Sequence, residues 1–190
     1  MKNHSIMGYS KSNKPDGAHI FYSFDTTEKY IENALLFIEK GIQEGERVIF
    51  IENDRLFPLI QKKIPSTIRL NDSDKIHHIN NYDFYYSSGD FHPKSINKYF
   101  AAVVSPYVEK NIPIRTWAHV EWGNHQEIAR IIEEFETEAQ VNVSAKKSIS
   151  VCAYESDRIT PEIKNSLMKS HGYYMTDNNI NPTNSHVVQI

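Results

Sequence analysis

The chain has 190 residues, 39% of them hydrophobic and 24% charged, which fits one ordinary globular domain and excludes a disordered chain. Its net charge of −3 carries no block of either sign, which excludes the basic stripe that direct binding of DNA or RNA requires. The single cysteine, Cys152, permits no internal disulfide, in keeping with a reducing cytosol.

The first 17 residues are rich in Ser, Asn, Lys and Gly and lack a signal peptide's apolar core; no run nears the roughly 20 apolar residues that span a bilayer. The expectation is a cytoplasmic protein away from membranes, with a flexible arm at 1–17, one domain at 18–175 and a flexible tail at 176–190. The apolar end of that tail, Val187, Val188 and Ile190, could instead dock on a partner or a sheet edge.

Strand-like and helix-like segments alternate between the arms. HIFYSF (His19–Phe24) reads as a strand, and the DTTE that follows from Asp25 resembles a capping box ahead of a helix with Ile31, Leu35, Ile38 and Ile42 on one stripe. RVIFI (Arg47–Ile51) is apolar on both faces, as a covered parallel strand is. Asp54 can cap a short helix with Pro58 in its first turn. After a polar loop that includes His77 and His78, YDFYY (Tyr82–Tyr86) reads as the third strand. Pro93 suits the first turn of a helix burying Ile96, Phe100, Val103 and Tyr107, which Pro106 should kink or fray. The fourth strand is IPIRTWA (Ile112–Ala118), followed by a long helix from Glu127 with Ile128, Ile132, Phe135 and Ala139 on its apolar stripe. SISVCAY (Ser148–Tyr154) is the fifth strand, and Thr160-Pro161 starts a last helix ending near His171-Gly172.

This order predicts a three-layer α/β fold, a mostly parallel sheet with helices on both faces. Ligands in such folds bind beyond the carboxyl ends of the strands: here Phe24–Asp25, Glu52–Asn53, Ser87–Asp90, Ala118–Trp122 and Tyr154–Asp157. The turn after the first strand, SFDTTEKY, has no glycine and no Gly-Lys-Ser/Thr, so a phosphate-binding loop is missing. A dinucleotide fingerprint is missing too. No HExxH or Cys-x-x-Cys spacing marks a metal site, and His119, His125 and the other histidines read as surface or loop residues.

The most suggestive stretch is RTWAHVEW. If extended, it puts Arg115, Trp117, His119 and Glu121 on one face, where a guanidinium, an indole and a carboxylate can hold a small anionic or planar ligand; an internal Arg–Glu pair explains the same residues equally well. Tyr154 at a strand end is a further ligand-facing candidate. Cys152, in mid-strand, is expected to be packed and inert unless exposed beside a base. Glu138 flanks an apolar helix face and needs a partner, for which Arg115 is suited. His171 suits a helix C-terminus.

His19, GIQEGERVIFIEN (Gly41–Asn53), SGDF (Ser88–Phe91), Arg115 with Glu121-Trp122, EAQVN (Glu138–Asn142) and VCAY (Val151–Tyr154) occur together in this order. In this the chain resembles the MEDS family, sensory domains first described in methanogens and in a methylotroph regulator of dichloromethane breakdown. The resemblance covers about residues 18–172. It implies a RecA/KaiC-like fold without its phosphate loop, and sensing of small hydrocarbon derivatives in gene regulation or beside histidine kinases. Carried over by position, His19, Glu46, Arg115, Glu121, Trp122, Glu138, Cys152, Tyr154 and His171 match the family's polar signature. Two departures stand out. Members often end the last helix with His-Pro where this chain has His171-Gly172, and they are commonly fused to a DNA-binding or kinase module, for which this chain has no room.

The combined expectation is a sensory domain acting in trans on a histidine kinase or regulator, with no cofactor and no catalytic residues. It would bind a small molecule near Arg115, Glu121, Trp122 and Tyr154, with His19, Glu138 and Cys152 as further candidates, and could form a homodimer. The alternatives are a protein-interaction module without a ligand and, third, an enzyme using Cys152 or the Arg115–Glu121 pair.

Overall fold

In a computed structural model the described residues are 5–66, 68, 73–123 and 127–183. His125 and the apolar tail residues Val187, Val188 and Ile190 lie outside them. The described part is built on a seven-stranded sheet ordered β3-β2-β4-β5-β1-β6-β7. The strands are β1 (Ala18–Phe24), β2 (Arg47–Glu52), β3 (Ile76–Asn80), β4 (Ile114–His119), β5 (Ile149–Glu155), β6 (Tyr173–Met175) and β7 (Ile180–Pro182). All neighbouring strands run parallel except β7, which pairs antiparallel with β6. The helices are α1 (Thr27–Gln43), α2 (Phe57–Lys63), α3 (Asn81–Tyr85), α4 (Pro93–Glu109), α5 (Ile128–Lys146) and α6 (Pro161–Ser170).

Side-chain alternation along each strand divides the core into two layers. Ile20, Tyr22 and Phe24 of β1, Trp117 of β4 and Val151 of β5 pack with Tyr30, Phe37 and Ile38 of α1 and Ile60 of α2. Phe21, Cys152 and Tyr154 point the other way, toward Ile132 and Phe135 of α5 and Ile163 and Leu167 of α6. The expected three-layer arrangement is therefore the one observed. The chain moves toward the β3 edge through α1 and α2 and back through α5, and right-handed crossovers place those two directions on opposite faces.

The helix starts follow the local chemistry, with two shifts. Thr26, not Asp25, caps α1: its backbone is extended and its hydroxyl accepts from the Lys29 amide at 3.3 Å. Asn53, not Asp54, stabilises the start of α2, its side-chain oxygen accepting from the amides of Arg55 and Leu56 at 3.1 and 2.8 Å. Thr160 caps α6 ahead of Pro161, as the sequence predicts. Pro106 does not end α4, which continues to Glu109.

The third strand is corrected. It is IHHIN, and YDFYY is helix α3. Aromatic residues favour strands, but Asn80 turns the chain by accepting from the amides of Tyr82 and Asp83. Phe84 and Tyr85 then reach the core from a helix. The true strand lies at the sheet edge, pairs on one side only, and is mostly half-buried, so it lacks the apolar run of an interior strand.

Both segments read as arms contribute to the packed structure. Ile6 and Tyr9 are buried, and Tyr9 packs edge-on against Tyr173 at 5.1 Å between ring centroids. In the tail, β7 extends the sheet. Asp177 accepts from the Tyr22 hydroxyl at 2.7 Å and from the amides of Asp25 and Thr26 at 3.3 and 3.2 Å. A carboxylate there also meets the positive end of α1. Asp177→Ala is expected to cost about 1.5–3 kcal/mol, the range for hydrogen bonds to a charged group, read as a lower urea midpoint with an unchanged slope.

Candidate functional site

The residues singled out by sequence, Glu138 apart, fall in three separate places. Arg115 is the second residue of β4, at the amino end of the sheet. Its Nε donates to the Glu46 carboxylate, its Nη1 to the Phe37 carbonyl at 3.2 Å, and its Nη2 to the Tyr9 carbonyl at 3.5 Å. Arg115 and Glu46 are both buried. Burial pushes the Glu46 carboxyl up and the Arg115 guanidinium down, while each charge opposes the other's shift. Gly41 makes the pair possible: a Cβ there would sit 2.6 Å from Arg115 Cδ and 2.9 Å from Val48 Cγ2. Arg115 is thus a structural clamp. It shares a strand face with Trp117 and His119 as expected, but Glu121 lies six residues on, about 20 Å away along an extended chain.

The second place is an open cleft of about 670 Å³ beyond the carboxyl ends of β2, β3 and β4. The segments leaving β2 and β4 pack on opposite faces of the sheet, so the cleft sits at a switch point of the topology, where such folds hold ligands. Glu121 accepts from Asn53 Nδ2 at 2.8 Å and Asn81 Nδ2 at 2.7 Å. Burial alone would raise its pKa, but the charge of His119 and the two amide donors outweigh that and hold it below the ordinary carboxylate value.

Tyr82, Tyr86 and Trp122 line the walls. The tyrosine rings stack at 5.1 Å, and the Arg158 guanidinium lies 4.6 Å from the Trp122 ring centre. Behind Glu121, His119 Nδ1 donates to Glu52 Oε1 at 2.8 Å, Tyr30 donates to Glu52 Oε2, and Trp117 Nε1 donates to the Tyr30 hydroxyl at 2.8 Å. Burial would lower the His119 pKa, but the hydrogen bond and charge of Glu52, with Glu121 adding to them, raise it above 6.5. Asn81, Tyr82 and Arg158 were not among the sequence candidates. Asn53 belonged to the strand-end list, whereas misreading α3 as a strand hid Asn81 and Tyr82.

The third place lies between the sheet and α5–α6. His19 of β1, Cys152 of β5, Glu136 of α5 and His171 at the end of α6 are all buried, with one donor atom from each within 4.8 Å of the others. The Nε2 atoms of His19 and His171 are each 3.4 Å from Glu136 Oε2, and the two rings stack at 3.9 Å. Tyr154 donates its hydroxyl to Glu136 Oε1. Burial pushes the Cys152 thiol well up, and the Glu136 charge adds to it, which keeps it protonated and a poor nucleophile. Tyr154, Cys152 and His19 therefore belong to this buried cluster and not to the cleft. Glu138 belongs to neither, since it accepts from Asn97 and not from Arg115. The reading of the histidines as surface or loop residues is corrected for His19, His119 and His171, which are buried. Glu136, at the heart of the cluster, was not singled out in the sequence, because it lies 117 positions after His19.

The turn after β1 carries no phosphate loop, and its amides at Asp25 and Thr26 bond to the chain's own Asp177 carboxylate. The mostly parallel sheet with helices on both faces has a fold of the RecA/KaiC type, as the solved structures below show. The sequence model of the MEDS domain (MEthanogen/methylotroph, DcmR Sensory domain) matches residues 18–172. The chain belongs to the MEDS family.

Among solved structures it is similar to the KaiC-like protein PH0186 from the hyperthermophilic archaeon Pyrococcus horikoshii OT3. The two share 17% identity and a TM-score of 0.55, over 84% of this chain and 70% of that one. It is also similar to the flagellar accessory protein FlaH from Methanocaldococcus jannaschii, with 10% identity and a TM-score of 0.49, over 88% and 76% of the two chains. No curated protein matches. Among the described residues no helix is long and apolar enough to cross a membrane.

Proposed function

We propose that this domain is a sensor for a small organic molecule held in the cleft at the ends of β2, β3 and β4, with occupancy passed to a partner protein such as a histidine kinase or transcriptional regulator. The observation that carries the reading is a carboxylate, Glu121, fixed by two amides in a cavity of about 670 Å³. Family membership supports the sensory role. A ligand pocket is typically apolar or aromatic with a few placed polar groups, and Tyr82, Tyr86 and Trp122 around Glu121 match that description. The carboxylate suits a hydroxyl or ammonium donor, and the aromatic walls suit a compact apolar body.

Thermal shift against a panel of small alcohols, amines and aromatic alcohols tests the reading. A compound at 100 times its Kd stabilises the folded state by about 2.7 kcal/mol. Glu121→Gln and Tyr82→Ala are expected to lose that shift while melting within a few degrees of the unmodified protein. A shift that survives both substitutions places the ligand elsewhere.

A further inference from the structure

We propose that His19, Glu136, Cys152 and His171 form a binding site for a divalent transition-metal ion of borderline softness, zinc foremost. The donor set is two imidazole nitrogens, one thiol sulfur and one carboxylate oxygen, all recognised zinc ligands. Four such donors around zinc at about 2.0–2.3 Å stand about 3.3–3.6 Å apart when tetrahedral. Here His19 Nε2 lies 3.4 Å from both Glu136 Oε2 and Cys152 Sγ, and His171 Nε2 lies 3.4 Å from the same oxygen.

The outer contacts aim the donors inward. His171 Nδ1 lies 2.9 Å from the Leu167 carbonyl, which can only accept. The ring hydrogen therefore sits on Nδ1 and the Nε2 lone pair faces Glu136. His19 Nδ1 lies 3.0 Å from Gln140 Oε1, and the Gln140 amide is oriented by donating its Nε2 to Ser144 at 2.9 Å. A ligating histidine that gives its other nitrogen to a carbonyl is the usual outer arrangement of a metal site. Tyr154 occupies Glu136 Oε1, and Oε2, fully buried, faces the Nε2 atoms of His19 and His171. Two imidazole lone pairs thus converge on a carboxylate oxygen away from water, which needs a positive charge between them. A proton satisfies one pair of these atoms. A metal ion satisfies all four at once, and Cys152 releases its thiol proton to solvent as it binds.

Access is short, because His171 and Gln140 line a surface groove of about 380 Å³. The ion would join β1, β5, α5 and the end of α6. With four protein donors and no open position its role is structural or regulatory, and the site is independent of the cleft.

The test uses the full chain stripped with a chelator and titrated with Zn²⁺ and with Co²⁺. Cys152 is the sole cysteine, so a thiolate-to-cobalt charge-transfer band can arise from no other residue. The expected result is that band saturating at about one equivalent per chain, with zinc raising the melting temperature and competing the cobalt away. Cys152→Ser is expected to lose the band. Gln140→Ala, at the groove and outside the donor set, is expected to weaken zinc binding about 10-fold or more. A folded, unmodified chain that shows no charge-transfer band with excess cobalt overturns the proposal, whatever metal its surface histidines take up. So does a band unchanged in Cys152→Ser.

Discussion

Arg115→Ala is expected to cost about 3–5 kcal/mol of stability, the range for breaking one side of a buried ion pair. The substitution strands the buried Glu46 carboxylate and removes donors from the carbonyls of Phe37 and Tyr9. It also opens a void beneath Gly41, whose missing Cβ is what lets the arginine pass. Urea unfolding followed by circular dichroism measures the loss. Because the pair's attraction largely offsets its own desolvation, the double change Arg115→Met with Glu46→Leu is expected to recover at least half of it. A loss below about 1 kcal/mol in the single variant, the scale of a surface pair, would show that Arg115 is not buried as described. The same variant is not expected to alter binding in the cleft, which lies at the other end of β4.

Glu52→Gln is expected to lower stability by about 2–3 kcal/mol, and to do so in a pH-dependent way. Glu52 accepts from His119, Tyr30 and the Asn53 amide, and hydrogen bonds to a charged acceptor contribute about 1.5–3 kcal/mol. The sign of the pH effect follows from His119. Its folded pKa is raised above 6.5 despite burial, through Glu52 and then Glu121. A raised histidine contributes stability that is fully present below the unfolded value and is lost as pH rises through the folded one. Unmodified protein should therefore exceed the variant most at about pH 6 and by a shrinking margin above 6.5. Urea midpoints measured for both proteins across that window test it, and a margin constant with pH would remove His119 from the network.

Much of the architecture was legible because it depends on short-range pattern. The apolar runs RVIFI and SISVCAY, the Thr160-Pro161 start and the stripe from Ile128 to Ala139 each specify an element through spacing and capping alone. The misread third strand shows the limit of that logic. YDFYY carries strand-favouring residues, and only the turn made by Asn80, with the core position it gives Phe84 and Tyr85, makes it helical. The true strand IHHIN lies at an edge, where one-sided pairing leaves polar residues in place.

The residues of the candidate sites were named more easily than they were placed. Arg115 and Glu121 sit on one run of sequence, yet a strand separates its ends, so they serve the amino and carboxyl sides of the sheet. Tyr154 and Cys152 follow the alternation of β5 to the α5–α6 face, away from the cleft.

The sequence by itself determined the alternation of elements, the parallel sheet with covered faces, and the missing phosphate loop at SFDTTEKY, because periodicity, capping and the absence of glycine are local properties of a chain. Only the tertiary structure decided that Asp177 comes back to the amides of that turn, that Glu121 joins Asn53 and Asn81 in a cleft, and that His19, Glu136, Cys152 and His171 meet. Those residues stand on different elements far apart in the chain, and the order in which strands assemble in the sheet brings them together.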